Sequence, residues 1–244
     1  MDPSEHDPYP LHTAARTSQT HVLENLLSDN PKLTLKADSD GRLPIHWACT
    51  TTNLDVIRSI LDATPPRQFD PDAQDNSGWT PLMISSSLPS SAGLPAVELL
   101  LARDADPKIQ SNTGATALHL ASSKGNLPVA TTILAAGASA RAKDARGQLP
   151  LHRAAAAGHM PLVKLLLTQG KSPLDNRDAD GMTALHHAIS EGHGDVAVEL
   201  LVRGADSGIR DQAGLVALQG APDGSVRGFV LRRAEMEGVD VVEE

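Results

Sequence analysis

Asp144-Ala-Arg-Gly147-Gln-Leu-Pro-Leu-His152 decides the fold, because the chain repeats it. Upstream copies are Asp38-Ser-Asp-Gly41-Arg-Leu-Pro-Ile-His46, Asp75-Asn-Ser-Gly78-Trp-Thr-Pro-Leu-Met83 and Ser111-Asn-Thr-Gly114-Ala-Thr-Ala-Leu-His119. Downstream are Asp178-Ala-Asp-Gly181-Met-Thr-Ala-Leu-His186 and the weaker Asp211-Gln-Ala-Gly214-Leu-Val-Ala-Leu-Gln219. Tyr9-Pro-Leu-His12 is a truncated first copy. The glycines fall at 41, 78, 114, 147, 181 and 214, in steps of 37, 36, 33, 34 and 33 residues.

Each part of the motif has a physical role. The aspartate starts a turn by accepting backbone N–H bonds, and glycine takes the left-handed position at no steric cost. Thr80, Thr116 and Thr183 sit where an N-cap belongs. Pro10, Pro44, Pro81 and Pro150 follow at the first helical position, where no N–H is missed. Leu43 and Leu149 take the cap site without a hydroxyl, so packing is expected to hold those helix starts.

A period near 33 with a Thr-Pro-Leu-His-x-Ala signature is the ankyrin repeat, a turn plus two helices. The expected fold class is therefore all-α: an ankyrin-repeat solenoid of seven helix-turn-helix repeats, with β-turn fingers and a concave binding face. The repeats are expected at about 9–37, 38–74, 75–110, 111–143, 144–177, 178–210 and 211–234. Residues 1–8 read as a flexible lead and 235–244 as a frayed tail. Repeat one has no turn and repeat seven no histidine, as atypical ends of a solenoid. In repeat two the helices are expected near 44–52 and 54–62, and the proline-rich stretch 63–72 cannot continue the second. Ser85–Gly93 reads as a polar, solvent-exposed loop in repeat three. Later second helices are visible as Val129–Leu134, Leu162–Leu167 and Val196–Val202, with Gly137, Gly170 and Gly204 at their ends. The last should hold Val226, Phe229, Val230 and Leu231.

The chain has 244 residues, 2% aromatics and a net charge of −9. Its core must come from Leu, Ala, Val and Ile. An acidic balance argues against non-specific nucleic-acid binding, which needs a basic face. Cys49 is alone, which excludes a disulfide framework and a thiolate metal site. The polar, acidic start is no secretory signal, and no apolar run is long enough to span a bilayer. A soluble protein of the cytoplasm and nucleus is the expectation.

The histidines do not build a metal centre. His12, His46, His119, His152 and His186 share one repeat position, so they cannot converge; each is expected to bond the neighbouring turn. Asp178-Ala-Asp180-Gly181 opens like a calcium loop, but its glycine comes too early and no twelfth-position glutamate follows. Gly192-His-Gly194 follows a helix rather than a strand, which removes a dinucleotide turn. No nucleophile elbow is present, and Cys49 reads as a small core residue. The chain is read as a binding protein without catalytic residues, metal or cofactor.

Binding would use the fingertips and the exposed side of the first helices. Those helix positions include Trp47, Thr51, Leu120, Lys124, Arg153, His187 and Glu191. The two Trp, 47 and 79, both fall on this face, and Trp and Arg are favoured anchors. The alternatives are that Trp79 packs on the next finger and Trp47 between helices. Charges of both signs line the groove, which suits specificity and on-rate more than raw affinity.

Several phrases go beyond the repeat consensus. They are Asp40-Gly-Arg-Leu-Pro-Ile-His-Trp-Ala48, Asp75-Asn-Ser-Gly-Trp-Thr-Pro81, Leu149-Pro-Leu-His-Arg-Ala-Ala155, Gly170-Lys-Ser172 and Glu191-Gly-His-Gly-Asp-Val-Ala-Val198. Over residues 9–233 the chain resembles the gankyrin family of proteasome regulatory subunits, and most of all its fungal branch. That resemblance implies an assembly chaperone of the 26S proteasome regulatory particle. Its concave face would grip the C-terminal domain of a base ATPase and hinder premature docking on the 20S core. On matching positions, Arg42 and Lys124 would face acids of the ATPase, and Asp75 and Glu191 its arginines; Trp47, Trp79 and Arg153 share the face. Reversing Arg42 and Lys124 to Glu is expected to weaken binding with little change in Tm. The family's Leu-x-Cys-x-Glu segment is missing, since two threonines follow Cys49, so the retinoblastoma protein is not carried over as a partner. A generic ankyrin adaptor is the competing reading.

Overall fold

The computed structural model describes residues 7–65 and 68–243. Expectations for residues 1–6 lie outside the described residues. Lys36 Nζ donates to the Pro8 carbonyl at 2.6 Å, which ties the end of the lead to the first repeat.

Thirteen α-helices form among the described residues. An inner row holds α1 (Pro10–Arg16), α3 (Pro44–Ala48), α5 (Pro81–Ser86), α7 (Ala117–Lys124), α9 (Pro150–Ala156) and α11 (Ala184–Ser190). An outer row holds α2 (Thr20–Asp29), α4 (Leu54–Ala63), α6 (Leu94–Leu101), α8 (Leu127–Ala135), α10 (Met160–Thr168), α12 (Gly194–Val202) and α13 (Gly224–Met236). From α1 to α12 each helix packs on the other helix of its repeat, and neighbouring repeats meet within each row, α13 closing the outer row against α12. That is nearest-neighbour architecture, and one continuous core runs through it.

These helices are short, and burial rather than length stabilises them. Leu11, Leu82, Leu118 and Leu151 fill the inner row, and Leu23, Ile57, Leu100, Ile133 and Leu162 the outer one, all with relative exposures of 0–1%. Alanines 14, 15, 48, 121, 154, 155 and 188 are equally buried and let neighbouring helices approach closely.

Histidine does the capping that leucine cannot. Nδ1 of His46 accepts the Leu43 N–H at 3.1 Å, and Nδ1 of His152 accepts that of Leu149 at 3.0 Å. The helix starts expected to rely on packing are therefore capped by a ring three residues on. In α7 and α11 the threonine hydroxyl itself meets the histidine, at 2.9 Å in both Thr116–His119 and Thr183–His186. Thr80, followed by Met83 instead of histidine, caps its helix in the expected way, accepting the Met83 N–H at 3.3 Å. In repeat seven the first helix shrinks to a 3-10 turn, Ala217–Gly220. Gln219 takes over there, its Oε1 accepting the Val216 N–H at 3.0 Å.

Three expectations need correction. The first helix of repeat two stops at Ala48 rather than 52, where Cys49, Thr50 and Thr51 close turns onto Ile45, Trp47 and Ala48. The repeat-three stretch is not a free polar loop: Ser85 and Ser86 are helical and buried, and a 3-10 turn, Pro89–Ser91, follows. Buried Asn126 of the next repeat holds it. Asn126 donates to the Ser86 and Leu88 carbonyls at 3.1 and 2.6 Å and accepts the Ser91 N–H at 3.0 Å. The tail does not fray at 235, because α13 runs to Met236 and the chain folds back. Val242 N–H then meets Ser207 Oγ at 2.9 Å, and Glu243 pairs with Arg227 at 2.9 Å.

The fingers form a ladder along one edge of the stack. Asn76 N–H donates to Asp40, Asn112 to Ser77, Ala145 to Thr113, Ala179 to Arg146 and Gln212 to Asp180, at 2.8–3.0 Å. Gly114 shows why the turn needs glycine. Its φ is +73°, and a Cβ there would stand 2.8 Å from the Ala145 nitrogen of the next finger.

Candidate protein-binding face

Asp38, Asp75, Asp144 and Asp178 each use both carboxylate oxygens. Oδ1 accepts two backbone N–H groups: Asp40 and Arg42 for Asp38, Ser77 and Trp79 for Asp75, Arg146 and Gln148 for Asp144, Asp180 and Met182 for Asp178, at 2.9–3.0 Å. Oδ2 accepts from a groove side chain. Trp47 Nε1 reaches Asp38 at 2.7 Å, Arg153 Nη2 reaches Asp144 at 2.6 Å, and His187 Nε2 reaches Asp178 at 2.8 Å. All three donors stand nine residues after their carboxylate, on the first helix of the same repeat. Two further donors come from the preceding finger. Arg42 Nε meets Asp75 at 3.0 Å, and Gln148 Nε2 meets Asp178 at 3.1 Å.

Hydrogen bonds to a charged group contribute on the order of 1.5–3 kcal/mol. Burial alone would raise these carboxyl pKa values. The bonds from Trp47 to Asp38, from the Trp79 amide and Arg42 to Asp75, from Arg153 to Asp144 and from His187 to Asp178 outweigh it and hold all four below the ordinary range. The groove-lining side chains are thereby fixed to the fingers before any partner arrives. Sequence reading missed this tether, although a polar or indole donor nine residues after the turn aspartate was there to be found.

The structure sorts the expected site residues into two sets. Lys124 and Glu191 are exposed at the C-terminal ends of α7 and α11. Trp47, Trp79, Arg42 and Arg153 are half-buried and held. The Trp47 ring packs on the core and also carries two guanidinium groups, Arg42 at 4.9 Å and Arg16 at 5.7 Å from its centroid. Arg16 was not expected in the site. Trp79 packs on the core through part of its ring.

Asp75 is a correction. Its side chain is 2% exposed and both oxygens are occupied within the chain, so it is not available to an arginine of a partner. The same bond alters the expectation for Arg42. Its side chain is 27% exposed and neutralises buried Asp75, so reversing it to Glu would set two carboxylates together and lower stability.

The five repeat histidines link adjoining repeats. Nε2 of His12, His46, His119, His152 and His186 meets the carbonyls of Arg42, Ala73, Gln148, Asn176 and Leu215, at 2.9–3.4 Å. Where Nδ1 accepts the cap N–H, Nε2 carries the proton, so the ring is neutral. Burial lowers the pKa of all five; for His152, burial and nearby His187 bring it to about 4. Burial likewise pushes the Cys49 thiol up to about 12, consistent with a core side chain. No group of His, Cys, Asp or Glu among the described residues could hold a metal ion. No helix among them is long and apolar enough to cross a membrane.

Helix pairs stacked in one direction, with tethered fingers along one edge, define a repeat solenoid, a class of protein-interaction module. The chain belongs to the ankyrin-repeat family: ankyrin repeats, in three copies, match residues 64–144 and 130–211. It is 38% identical over 219 residues to an ankyrin repeat-containing protein of Schizosaccharomyces pombe, covering 90% of this chain and 92% of that one. It is 38% identical over 118 residues to the probable 26S proteasome regulatory subunit p28 of Saccharomyces cerevisiae, covering 48% of this chain and 50% of the yeast protein. It is also 31% identical over 117 residues to neurogenic locus notch homolog protein 1 of Danio rerio, a match that spans 4% of that protein.

Proposed function

We propose that this chain is an assembly chaperone of the 26S proteasome regulatory particle, acting in cytoplasm and nucleus as a monomer until it meets its partner. The observation that carries the reading is the 38% identity over 118 residues to a protein named as a probable 26S proteasome regulatory subunit. The gankyrin-like phrases around Arg42, Trp79, Arg153 and Glu191 support it.

In this reading the inner face grips the C-terminal domain of one base ATPase and obstructs docking of the immature base on the 20S core. Lys124 meets an acid of the ATPase and Glu191 an arginine. Trp47, Trp79, Arg42 and Arg153 form the rigid floor between them. The tethering of Trp47, Arg42 and Arg153 to the finger carboxylates leaves little side-chain freedom to lose on binding, which favours affinity. An interface of standard size would bury roughly 1,200–2,000 Å².

The test is side-by-side binding of the purified chain to the isolated C-terminal domains of the six base ATPases, at two salt concentrations. Tight, salt-sensitive binding to one domain, weakened by Lys124→Glu, is expected. No binding to any of them removes this function and leaves a generic ankyrin adaptor.

A further inference from the structure

A second charged surface lies at the roots of the fingers. Its cations are Lys108, Arg141, Lys143, Lys171, Arg177 and Arg210, all exposed. None of the six takes part in an ion pair among the described residues, although the chain carries a net charge of −9. The neighbouring acids are Asp72, Asp106, Asp175, Asp206 and Asp211, and each spends an oxygen on a backbone N–H.

Hydrogen bonds tie these segments in pairs from one repeat to the next. Gln110, Lys143, Arg177 and Arg210 each stand one residue before a turn. Gln110 Nε2 donates to the Lys143 carbonyl at 3.0 Å, and Arg177 Nη2 to the Arg210 carbonyl at 2.8 Å. Arg141 Nε lies 3.3 Å from the Lys171 carbonyl, which closes the second rank. Arg177 and Arg210 are further braced against Gly181 and Gly214 of their own turns, at 3.1 and 2.8 Å. The guanidinium groups are thus held in place while their charge stays uncompensated. Lys143 and Lys171 donate no such brace. Lys143, Arg177 and Arg210 stand just before a turn carboxylate, and Lys108 and Arg141 in the short turn that leads to a finger, whereas the groove donors Trp47, Arg153 and His187 stand nine residues after a turn carboxylate, on the first helices.

We propose that this row binds an extended acidic segment of a partner protein, lying along the stack. Adjacent packed elements stand roughly 8–10 Å apart, and a chain extended in the polyproline II form rises about 3.1 Å per residue and returns to the same face every third residue. Carboxylates three residues apart therefore match cations one repeat apart. The surface is separate from the concave face, and it does not depend on which protein fills that face.

The probe is a fluorescein-labelled, acetylated peptide of repeated Glu-Ser-Ser, followed by anisotropy with the full chain at about 50 mM and then 150 mM salt, where the screening length is about 8 Å. A control peptide gathers the same glutamates in one block. Saturable binding that favours the spaced peptide and weakens with salt is expected. Lys143→Glu with Lys171→Glu, neither of which breaks a side-chain brace, should lower affinity about tenfold or more, while Lys124→Glu in the groove should not. Affinity unchanged by the double reversal, no preference for the spaced peptide, or tighter binding of single-stranded RNA of equal length would overturn the proposal.

Discussion

The indole Nε1–H of Trp47 donates to Oδ2 of Asp38 across 2.7 Å, so an inner helix and the finger of its own repeat are pinned by one bond. The same carboxylate already holds its turn through two backbone N–H groups. Trp47→Phe keeps most of the ring and removes the donor. The variant should lose about 1.5–3 kcal/mol in urea unfolding. An unchanged midpoint would show that the bond contributes nothing to the folded state.

Acid should weaken the stack in two stages. Buried His152 has its folded pKa lowered to about 4, and the other four linking histidines are lowered too. The unfolded chain then binds more protons below the ordinary histidine value of about 6.5. The stabilisation is complete above that pH and is lost as pH falls towards the folded value. For His152 alone the loss is about 2 kcal/mol between pH 7 and pH 5. The turn aspartates, also lowered, add their loss only below about pH 4. Denaturant melts of His152→Gln should start lower at pH 7 and fall less on acidification than the parent. Parallel curves would contradict this assignment.

Gln219 stands where five other repeats carry histidine, and it accepts the same cap N–H. Gln219→His should leave stability within a few tenths of a kcal/mol, whereas Gln219→Ala should cost about 0.5–1 kcal/mol. Amide exchange at Val216 is the direct readout. It should quicken in the alanine variant alone.

Asn126 makes three bonds to the stretch between α5 and α6 from a buried position. Asn126→Ala strands those backbone groups, at about 1–3 kcal/mol for each that stays buried. A fall in thermal stability together with faster amide exchange over residues 86–93 is expected. A stable variant with protected amides there would mean that this stretch holds itself.

Lys124 and Arg42 should separate binding from folding. Lys124→Glu changes an exposed side chain and should leave Tm unaltered while weakening partner capture. Arg42→Glu places a second carboxylate against buried Asp75 and should lower Tm as well. Equal Tm values for the two variants would refute that difference.

The repeat architecture was legible because Asp-x-x-Gly and Pro-Leu-His recur at nearly constant spacing, and each copy dictates its own turn and helix start. The histidine role was legible for the same reason: one position in five repeats cannot form a single centre. The site was less so. Asp75 and Glu191 are both acids near the groove, yet one is sealed inside its turn and the other is open. That difference depends on Arg42, 33 residues away in the chain. Spacing within a repeat could not reveal it. Asn126 escaped notice likewise, because its partners lie 35–40 residues upstream in a stretch specific to one repeat. The tail misled because acidic residues near a terminus read as solvated, while Ser207 and Arg227 were waiting in space.

Met83 interrupts the series of linking histidines, and Ser111 interrupts the series of turn aspartates at the adjoining finger. Between the third and fourth repeats the finger ladder continues through Gln74 and Asn112, and buried Asn126 adds a second fastening by gripping the stretch from Ser86 to Ser91. A stack riveted along its fingers throughout is here clamped a second time, from within the repeat. Loosening the asparagine grip would therefore leave the two halves joined by the finger ladder and the helix packing alone.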